Sequence, residues 1–483
     1  MRKRTFIFCI TGAALLFASQ PLMAKEVIEN YAEWEQLEAC KKMVDDPRPY
    51  LNCNKELWGK EVVEDLSFDV EKGSQRWAEL VGFKSPDLVG NIAPEIKPGK
   101  YTLEDKVKYP FDKLMIPMFY ERFNEPGAQG KNFGANFTEF EVVPTRQYWQ
   151  NLSVAEASIK NEGLATLDEE GYLIYDDTNK GGIPFPKPSG TQKGWQVLYN
   201  YTETFTYTQG EDYVSQTNSI GVDNNFKQDR YSKGDFYVMR LYNRVMREPK
   251  GAWYDERAQK QGEKEVIYYE AIEPRDQYGQ AYVWLKRVQP DIADNLLVYT
   301  PLTRRIRKMS SSDRQDQAIG LDYTYDDLNN LNQKLTPRAY PYKVRVLDER
   351  EFLVPSYTLT GEEYFDSKSQ FLWRNLTFER RPVYVVEMEQ LDSTYVYSKR
   401  TYYIDKETFL ILGAEYYDRK GRLWRTNNIL YGFFPDMGIL MWAAGSYFDH
   451  IDVHTTIEQD FIILSLGSDR SQYNAKRLQR GRK

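Results

Sequence analysis

The chain has two histidines, and both lie near its C-terminal end with a carboxylate between them. An extended strand would project His450, Asp452 and His454 to one face, because side chains alternate along a strand. Two imidazoles and a carboxylate could hold a metal ion with open coordination positions. A hydrogen-bonded polar strand face without a metal is the favoured alternative, because the sequence offers no identifiable outside ligand. We therefore expect no cofactor and keep these three residues as metal candidates.

Carboxylates are abundant, with 71 Asp and Glu residues, but no spacing singles out an acid/base pair. The chain lacks the GxSxG nucleophile elbow, the zinc-binding HExxH and the phosphate-cradling GxxxxGK[ST]. These absences weigh against common hydrolases and nucleotide-dependent enzymes. We therefore expect a protein without enzymatic activity. An exported hydrolase with an unfamiliar site is an alternative, since two carboxylates can come from anywhere in a fold.

The densest basic cluster outside the N-terminus comprises Arg304, Arg305, Arg307 and Lys308. On a strand, Arg305 and Arg307 would share one face. That face could contact an acidic lipid headgroup or an acidic protein partner. A solvated strand face with salt bridges to neighbouring acids would use the same residues. The net charge of −7 argues against nucleic acid as the main partner.

Residues 1–24 have the order of a cleavable export signal. A basic stretch at residues 2–4 precedes an apolar run over 6–18, and the small residue Ala24 stands at the expected cleavage point. The apolar run is too short to span a bilayer as a permanent helix. We therefore predict a mature chain that works in the periplasm. An N-terminal anchor left uncleaved is the alternative.

Three cysteines are present, and Cys9 lies inside the apolar run. Cleavage would leave Cys40 and Cys53. A closely spaced pair in an exported chain favours a disulfide, which is worth about 3 kcal/mol in the chain-entropy model. Two buried free thiols, or a metal pair lacking its other ligands, are the alternatives.

The elements that must position these residues divide the mature chain into three parts. Residues 25–100 combine helical spacing with proline-rich connections, and a helix is predicted over 73–81. Residues 101–470 change to a period of two, which is typical of antiparallel strands with one buried face. Within them the charged stretch 313–327 is predicted to be a loop outside the core. Residues 471–483 form a basic tail.

Alternating runs predict unusually long strands. Residues 195–207 and 384–388 alternate large apolar side chains with mainly polar ones. Two hairpins are predicted from turn residues between further runs, one over 395–417 and the next over 409–425. Long consecutive strands favour a curved sheet that wraps around something.

Several motifs resemble the DUF1329 family of exported bacterial proteins. Residues 181–186 (GGIPFP) and 194–200 (GWQVLYN) are similar to its GGxPFP…WxxxxN region, and residues 299–308 (YTPLTRRIRK) to its YxPxxRRxR strand. Residues 82–90 and 96–101 are similar to its N-terminal portion. The resemblance spans most of the mature chain, and the GGxPFP element is its most specific part.

The family is related to the LolA/LolB/LppX-like lipoprotein-sorting carriers, and residues 400–424 resemble the YIDKKTGLPL…YDKDGKL pattern of such carriers. Phe409 stands where that pattern often has glycine, a departure that could alter the turn. The resemblance implies a mainly β fold with α (α+β): a large, curved, antiparallel, incomplete β-barrel with covering helices and an N-terminal helical segment. It also implies handling of lipid or lipoprotein acyl chains, often beside an RND-type membrane exporter.

The expected function is a periplasmic carrier or binding protein for a lipid, a lipoprotein acyl chain or another hydrophobic cargo, with transient membrane contact. A concave face of aromatic and aliphatic side chains can bury an acyl chain without demanding polar geometry. The candidate lining residues are Trp195, Val197, Tyr199, Trp284, Tyr299, Tyr384, Val386, Met388, Tyr402 and Ile404. Ordinary core packing is the alternative for each of them. The alternative function is a non-catalytic accessory or scaffold of an RND-type exporter that binds protein partners only.

Overall fold

A computed structural model describes residues 69–128, 134–175, 181–310, 313–338, 340–357, 365–366, 370–435 and 437–464, with residues 470, 474 and 478. The predicted export signal at residues 1–24 lies outside these residues. So do Cys40 and Cys53 with their predicted disulfide, and most of the tail at 471–483.

The helices of the described residues include the one predicted near the start of the body. They are α1 Val70–Val81, α2 Phe111–Leu114, α3 Pro117–Arg122, α4 Leu152–Lys160, α5 Lys193–Thr208 and α6 Glu256–Gln261. Asp69 caps α1 by accepting a 3.1 Å hydrogen bond from the Lys72 amide, and Gly82 ends it with φ 90°. The helix predicted over 73–81 is therefore confirmed. No helix among the described residues is long and apolar enough to cross a membrane.

Strands make up most of the remaining structure. In chain order they are β1 Gly99–Thr102, β2 Glu139–Val142, β3 Ala165–Leu167, β4 Leu173–Tyr175, β5 Asp212–Val222, β6 Gln228–Arg240, β7 Tyr242–Arg244, β8 Gly251–Trp253, β9 Glu263–Glu273, β10 Ala281–Arg287, β11 Asn295–Thr300, β12 Arg305–Met309, β13 Tyr342–Pro355, β14 Phe365–Asp366, β15 Leu372–Trp373, β16 Thr377–Gln390, β17 Lys399–Asp405, β18 Ile411–Tyr417, β19 Leu423–Phe434, β20 Ile439–Asp449 and β21 His454–Leu464.

Fifteen of these strands form one sheet. Its order is β1-β2-β16-β17-β18-β19-β20-β21-β5-β6-β9-β10-β11-β12, with β13 also paired to β16. Neighbours are antiparallel except β2 and β16, which are parallel. The terminal strands β1 and β12 stand at opposite ends of this order, so the curved sheet is incompletely closed. The predicted mainly β fold with α is confirmed.

Helix α5 lies in the concavity of the sheet. It packs against β13 and β20. In the strand order, strands β16 to β19 lie between these two. One helix can touch both only if the sheet curves around it. Twelve of its sixteen residues are buried, so the helix fills much of the space that the strands enclose.

The strand predicted over 195–207 is therefore wrong, and Trp195, Val197 and Tyr199 lie on this helix. Leu198, Asn200 and Thr204, which stand between the aromatic residues, are also fully buried. A helix buried on all sides has no polar stripe at the helical period. The period of two over 195–207 therefore does not mark one buried and one exposed face. The aromatic residues and the small polar residues between them are both buried against other parts of the protein.

The predicted C-terminal hairpins are confirmed. β17 pairs with β18 and β18 with β19, all antiparallel. The alternation over 384–388 also belongs to a strand, since Tyr384 pairs with Ile404 and Val386 with Tyr402 between β16 and β17. Both hairpins therefore turn at the residues from which they were predicted.

Candidate ligand-binding site

The GGIPFP motif holds α5 in the concavity. The amide of Asn200 clamps Phe185: the Phe185 N–H donates to Oδ1 at 2.9 Å, and Nδ2 donates to the Phe185 carbonyl at 2.6 Å. A Cβ added to Gly182 would lie 2.5 Å from the Ser158 nitrogen, so this loop requires glycine to dock. The motif and the asparagine that follows it thus position the helix.

A second element, residues 313–338, closes the concavity beside α5; we call it the covering segment. It is irregular, with short 3₁₀ turns at Asp313–Gln315, Ala318–Gly320 and Tyr325–Asp327. Its carboxylates Asp326 and Asp327 are almost fully buried. The loop predicted over 313–327 is confirmed as irregular backbone, but its predicted exposure is wrong.

Buried polar contacts attach the covering segment to β17, β19 and the β16–β17 connection. Tyr395 donates to Asp326 at 3.0 Å, and Tyr397 donates to Asp327 at 2.6 Å. Arg400 donates to Gln333 at 2.7 Å. Arg314 and Arg425 stand 3.5 and 3.9 Å from Asp326 and Asp327, so cations balance the buried carboxylates.

His454, the first residue of β21, attaches the covering segment to a different part of the sheet from β17 and β19. Its Nδ1 lies 2.6 Å from Oδ2 of Asp322, and its Nε2 lies 3.1 Å from Oδ1 of Asp229 on β6. The hydrogen bond with Asp322, aided by Asp229 and opposed by partial burial, raises the pKa of His454 to about 9. The imidazolium therefore bridges two carboxylates at neutral pH.

The strand face predicted to carry His450, Asp452 and His454 together is not formed. Residues 450–453 are a turn between β20 and β21, and Val453 has φ 53°. The turn separates the three side chains: Nε2 of His450 lies 3.2 Å from the Thr426 hydroxyl, and Asp452 is exposed. Within the described ranges, no group of three His, Cys, Asp or Glu side chains is placed to hold a metal ion.

Between α5, the covering segment and the sheet lies an open cleft of about 110 Å³, which we call the outer cleft. Helix α5 contributes Tyr199, Tyr201 and Phe205 to its wall, and Lys264, Lys286 and Lys334 stand around it. The lysines are paired: Lys286 lies 2.9 Å from Glu265, Lys334 lies 3.5 Å from Asp294, and Lys264 contacts Glu203. The outer cleft is thus strongly charged but locally neutralised.

These ion pairs also shift the pKa values of the side chains that form them. Burial alone would raise the pKa of Glu265, but Lys286, the Thr206 hydroxyl and Lys264 together hold that pKa below its usual value. Burial lowers the pKa of Lys334, against the opposing effect of Asp294. Glu265 therefore remains charged although it is buried.

A smaller cavity of about 50 Å³, which we call the inner chamber, adjoins the outer cleft. Both cavities share Tyr213, Ile267, Asn329 and Asn332 as lining residues. The other walls of the chamber are largely apolar: Phe236 and Val238 of β6, Tyr282 of β10, Trp442 and Tyr447 of β20, and Tyr323 and Leu328 of the covering segment. The charged outer cleft and the aromatic inner chamber are therefore neighbours that share one wall.

One carboxyl group, Glu458, lines the chamber. Its Oε1 accepts hydrogen bonds from Tyr323 at 2.6 Å and from Ser219 at 3.0 Å. Burial raises the pKa of Glu458 to about 7, although the two hydroxyl donors act in the opposite direction. Near neutral pH this group is therefore divided between its acid and its carboxylate form.

Of the ten predicted lining residues, Tyr199 alone lines either of these two cavities. Trp195, Val197, Trp284, Tyr384, Val386, Met388, Tyr402 and Ile404 are buried within the main hydrophobic core, and Tyr299 packs against a second, smaller core. On β6, Tyr237 and Met239 pack in that second core, while Phe236 and Val238, which alternate with them, face the chamber. Both faces of β6 are covered, so alternation could not show which face meets the cavity.

Arg305 and Arg307 are exposed on β12, the strand at one end of the sheet. Arg307 forms an ion pair with Asp313 at 2.5 Å. Their predicted contact with a headgroup or partner remains a prediction, and neither residue lines the outer cleft or the chamber.

These features define a mainly β protein whose incomplete barrel is filled by a central helix and a covering segment. The chain belongs to the DUF1329 family: the model of that family, described as "Protein of unknown function (DUF1329)", matches residues 131–462. The resemblance of the sequence motifs to this family is thereby confirmed. No curated protein matches the chain.

Solved structures of similar fold include a DUF1329 family protein from Desulfovibrio piger and a LolA superfamily protein from Nitrosomonas europaea. The first has 16% identity and a TM-score of 0.40, and the match covers 56% of this chain and 91% of that one. The second has 13% identity and a TM-score of 0.35, and the match covers 55% of this chain and 91% of that one. Neither assigns a ligand to this chain.

Proposed function

We propose that this protein is a non-enzymatic carrier that binds a hydrophobic cargo between α5, the covering segment and strands β5, β6, β9, β10 and β20. The observation that carries the proposal is the inner chamber, an aromatic-lined cavity that adjoins the outer cleft and shares four lining residues with it. Burying an apolar body there stabilises the complex by about 25 cal/mol for each Å² removed from water. Such binding does not demand precise polar geometry.

Loading requires movement of the covering segment. Cavities of about 110 and 50 Å³ are smaller than the roughly 300–1,000 Å³ of sites for drug-sized ligands. The segment is attached through buried apolar residues such as Leu321 and Leu331, and through hydrogen bonds and ion pairs such as Tyr397 to Asp327. Water can replace the polar contacts when the segment lifts, and an apolar cargo can replace part of the apolar ones. In this proposal, the position of the covering segment described above is the closed one.

The proposed place of action is the periplasm, since residues 1–24 have the order of an export signal. Transfer to or from a membrane would bring exposed Arg305 and Arg307 to an acidic headgroup or to an acidic surface of a partner such as an RND-type exporter. Replacing both with Gln should weaken binding to anionic vesicles and leave cargo binding unchanged. Equal vesicle binding by the variant and the natural protein would remove this part of the proposal.

Native mass spectrometry, with solvent extraction of protein purified in mild buffer, tests the carrier function directly. We expect either an extractable apolar molecule or, in empty protein, saturable binding of the apolar fluorophore N-phenyl-1-naphthylamine. A protein that contains no apolar molecule and binds no fluorophore would contradict the proposal.

Filling the chamber locates the binding. Val238→Trp places an indole in the chamber and should weaken fluorophore binding about 10-fold or more. Tyr237→Trp changes the next residue of β6, on the opposite face, and should leave the affinity within about 2-fold. Leu328→Trp fills the chamber from the covering segment, where the backbone can adjust if Val238→Trp fails to fold. Full affinity in a folded chamber variant would contradict this site.

A further inference from the structure

The inner chamber contains polar atoms that the protein itself leaves unpaired. Within the described part of the chain, neither Nε1 of Trp442 nor Oγ1 of Thr217 has a hydrogen-bond partner. The two residues are 6% and 7% exposed and both line the chamber. An indole N–H only donates, whereas a hydroxyl donates and accepts. An occupant that carries an acceptor oxygen would therefore satisfy both groups.

The charges around the chamber restrict the occupant further. Among the described residues that line it there is neither a lysine nor an arginine, and Glu458 is the one carboxyl group. In its acid form Glu458 donates a hydrogen bond, and in its ionised form it repels an anion. A carboxylate or phosphate brought into the chamber would lose its water without gaining a cation. The lysines stand at the outer cleft instead, and acidic partners already accompany them.

We propose that the chamber selects an uncharged amphiphile, with an apolar body and a carbonyl or hydroxyl oxygen that accepts hydrogen bonds from Trp442 and Thr217. The inference rests on the proposed carrier function and names the class of cargo. Charged groups of a larger cargo remain in the outer cleft. A pure hydrocarbon fits the walls but leaves the indole N–H unpaired, and an anionic amphiphile meets no counter-charge.

Three competitors of equal chain length separate these classes: 2-decanone, decane and decanoate, each displacing N-phenyl-1-naphthylamine at pH 8. We expect 2-decanone to displace the fluorophore at about 10-fold lower concentration than decane, which corresponds to about 1.4 kcal/mol. Decanoate should require at least about 10-fold more than 2-decanone. 1-Decanol should compete like 2-decanone, because its oxygen also accepts.

Two variants test the assigned atoms. Trp442→Phe removes the N–H, and Thr217→Val removes the hydroxyl with little change of shape; each should reduce the preference for 2-decanone over decane to about 3-fold or less. The preference is a ratio of two competitors measured against the fluorophore affinity of the same variant, so a change in that affinity does not alter it. Trp424→Phe is the matched control, since its Nε1 donates to Asp449 at 2.7 Å and lies outside the chamber lining. That variant should keep the full preference.

The outcomes separate this inference from the carrier function. If the natural protein binds neither fluorophore nor competitor, both fail. If the fluorophore binds but decane and 2-decanone compete equally, or decanoate competes best, the carrier function stands and the assigned cargo class is overturned. An unchanged preference in folded Thr217→Val and Trp442→Phe would overturn the assigned atoms.

Discussion

The hydroxyl of Tyr323 donates a 2.6 Å hydrogen bond to Oε1 of Glu458. Tyr323 belongs to the covering segment and Glu458 to β21, so this bond joins the segment to the sheet at the chamber wall. A phenol donates more strongly to a carboxylate than to a carboxylic acid. The ionisation of Glu458 and the closure of the chamber are consequently coupled through one pair of atoms.

Glu458 should make the folded protein less stable as the pH rises from about 4.5 to about 7. Its folded pKa is raised by burial to about 7 from an ordinary 4.5, so the folded state holds the proton more tightly than the unfolded state does. Folding stability then falls across this interval, by roughly 3 kcal/mol at most. Glu458→Gln should remove this fall, measured as the free energy of unfolding in urea at pH 5 and pH 8. Equal falls in both proteins would contradict the prediction.

His454 stabilises the folded protein through ion pairing rather than burial, and this stability is lost over a higher pH range than that of Glu458. Its pKa is raised from 6.5 to about 9 by Asp322 and Asp229, so the contribution is complete below pH 6.5 and is lost as the pH rises through 9. His454→Gln should cost about 1–2 kcal/mol at pH 6, after discounting for solvent screening, and much less at pH 10. His450→Gln is the control with the same change of side chain. A cost that does not depend on pH would contradict the bridge.

Tyr397 should govern how firmly the covering segment is held. Tyr397→Phe removes the donor to Asp327 and leaves a buried carboxylate less satisfied, at a cost of about 1–3 kcal/mol. We expect faster tryptic cleavage after Arg314 and Lys334, within the segment. Tyr278→Phe, at an exposed tyrosine, should leave the cleavage rate unchanged. Equal cleavage rates in both variants would show that this contact does not hold the segment.

Local signals predicted the hairpins of β17, β18 and β19 because their turns consist of neighbouring residues. Gly421, for example, adopts φ 77° in the turn before β19. The covering segment has no such signal. Its carboxylates Asp326 and Asp327 are charged and predict exposure, yet they meet Arg425 and tyrosines that lie about 70 to 100 positions later in the chain. Pairing over that separation leaves no mark in a local pattern.

The chamber was missed for a related reason. Its walls come from β5, β6, β9, β10, β20, β21 and the covering segment, and each contributes only one to four side chains. Packing against a core and lining a cavity require the same residue types, so the residue pattern of a strand does not separate the two. The space depends on how the covering segment meets these strands, which are distant from it in the sequence.

Phe409 combines a strained backbone conformation with a side chain buried in the core, and the two effects can be separated by substitution. It adopts φ 59°, the left-handed conformation that glycine favours, and its side chain is fully buried. The strain costs about 1–2 kcal/mol, and burial of the ring offsets it. Phe409→Ala loses the ring and keeps the strain, so it should destabilise by about 3–5 kcal/mol. Phe409→Gly loses the ring but relieves the strain, and should be more stable than the alanine variant by about 1 kcal/mol.

Leu412, a buried residue of β18 without positive φ, is the control position. There the order should reverse, with the glycine variant less stable than the alanine variant by about 0.5–1 kcal/mol. Urea denaturation of the four variants measures both differences. Glycine below alanine at both positions would show that the turn at Phe409 stores no strain.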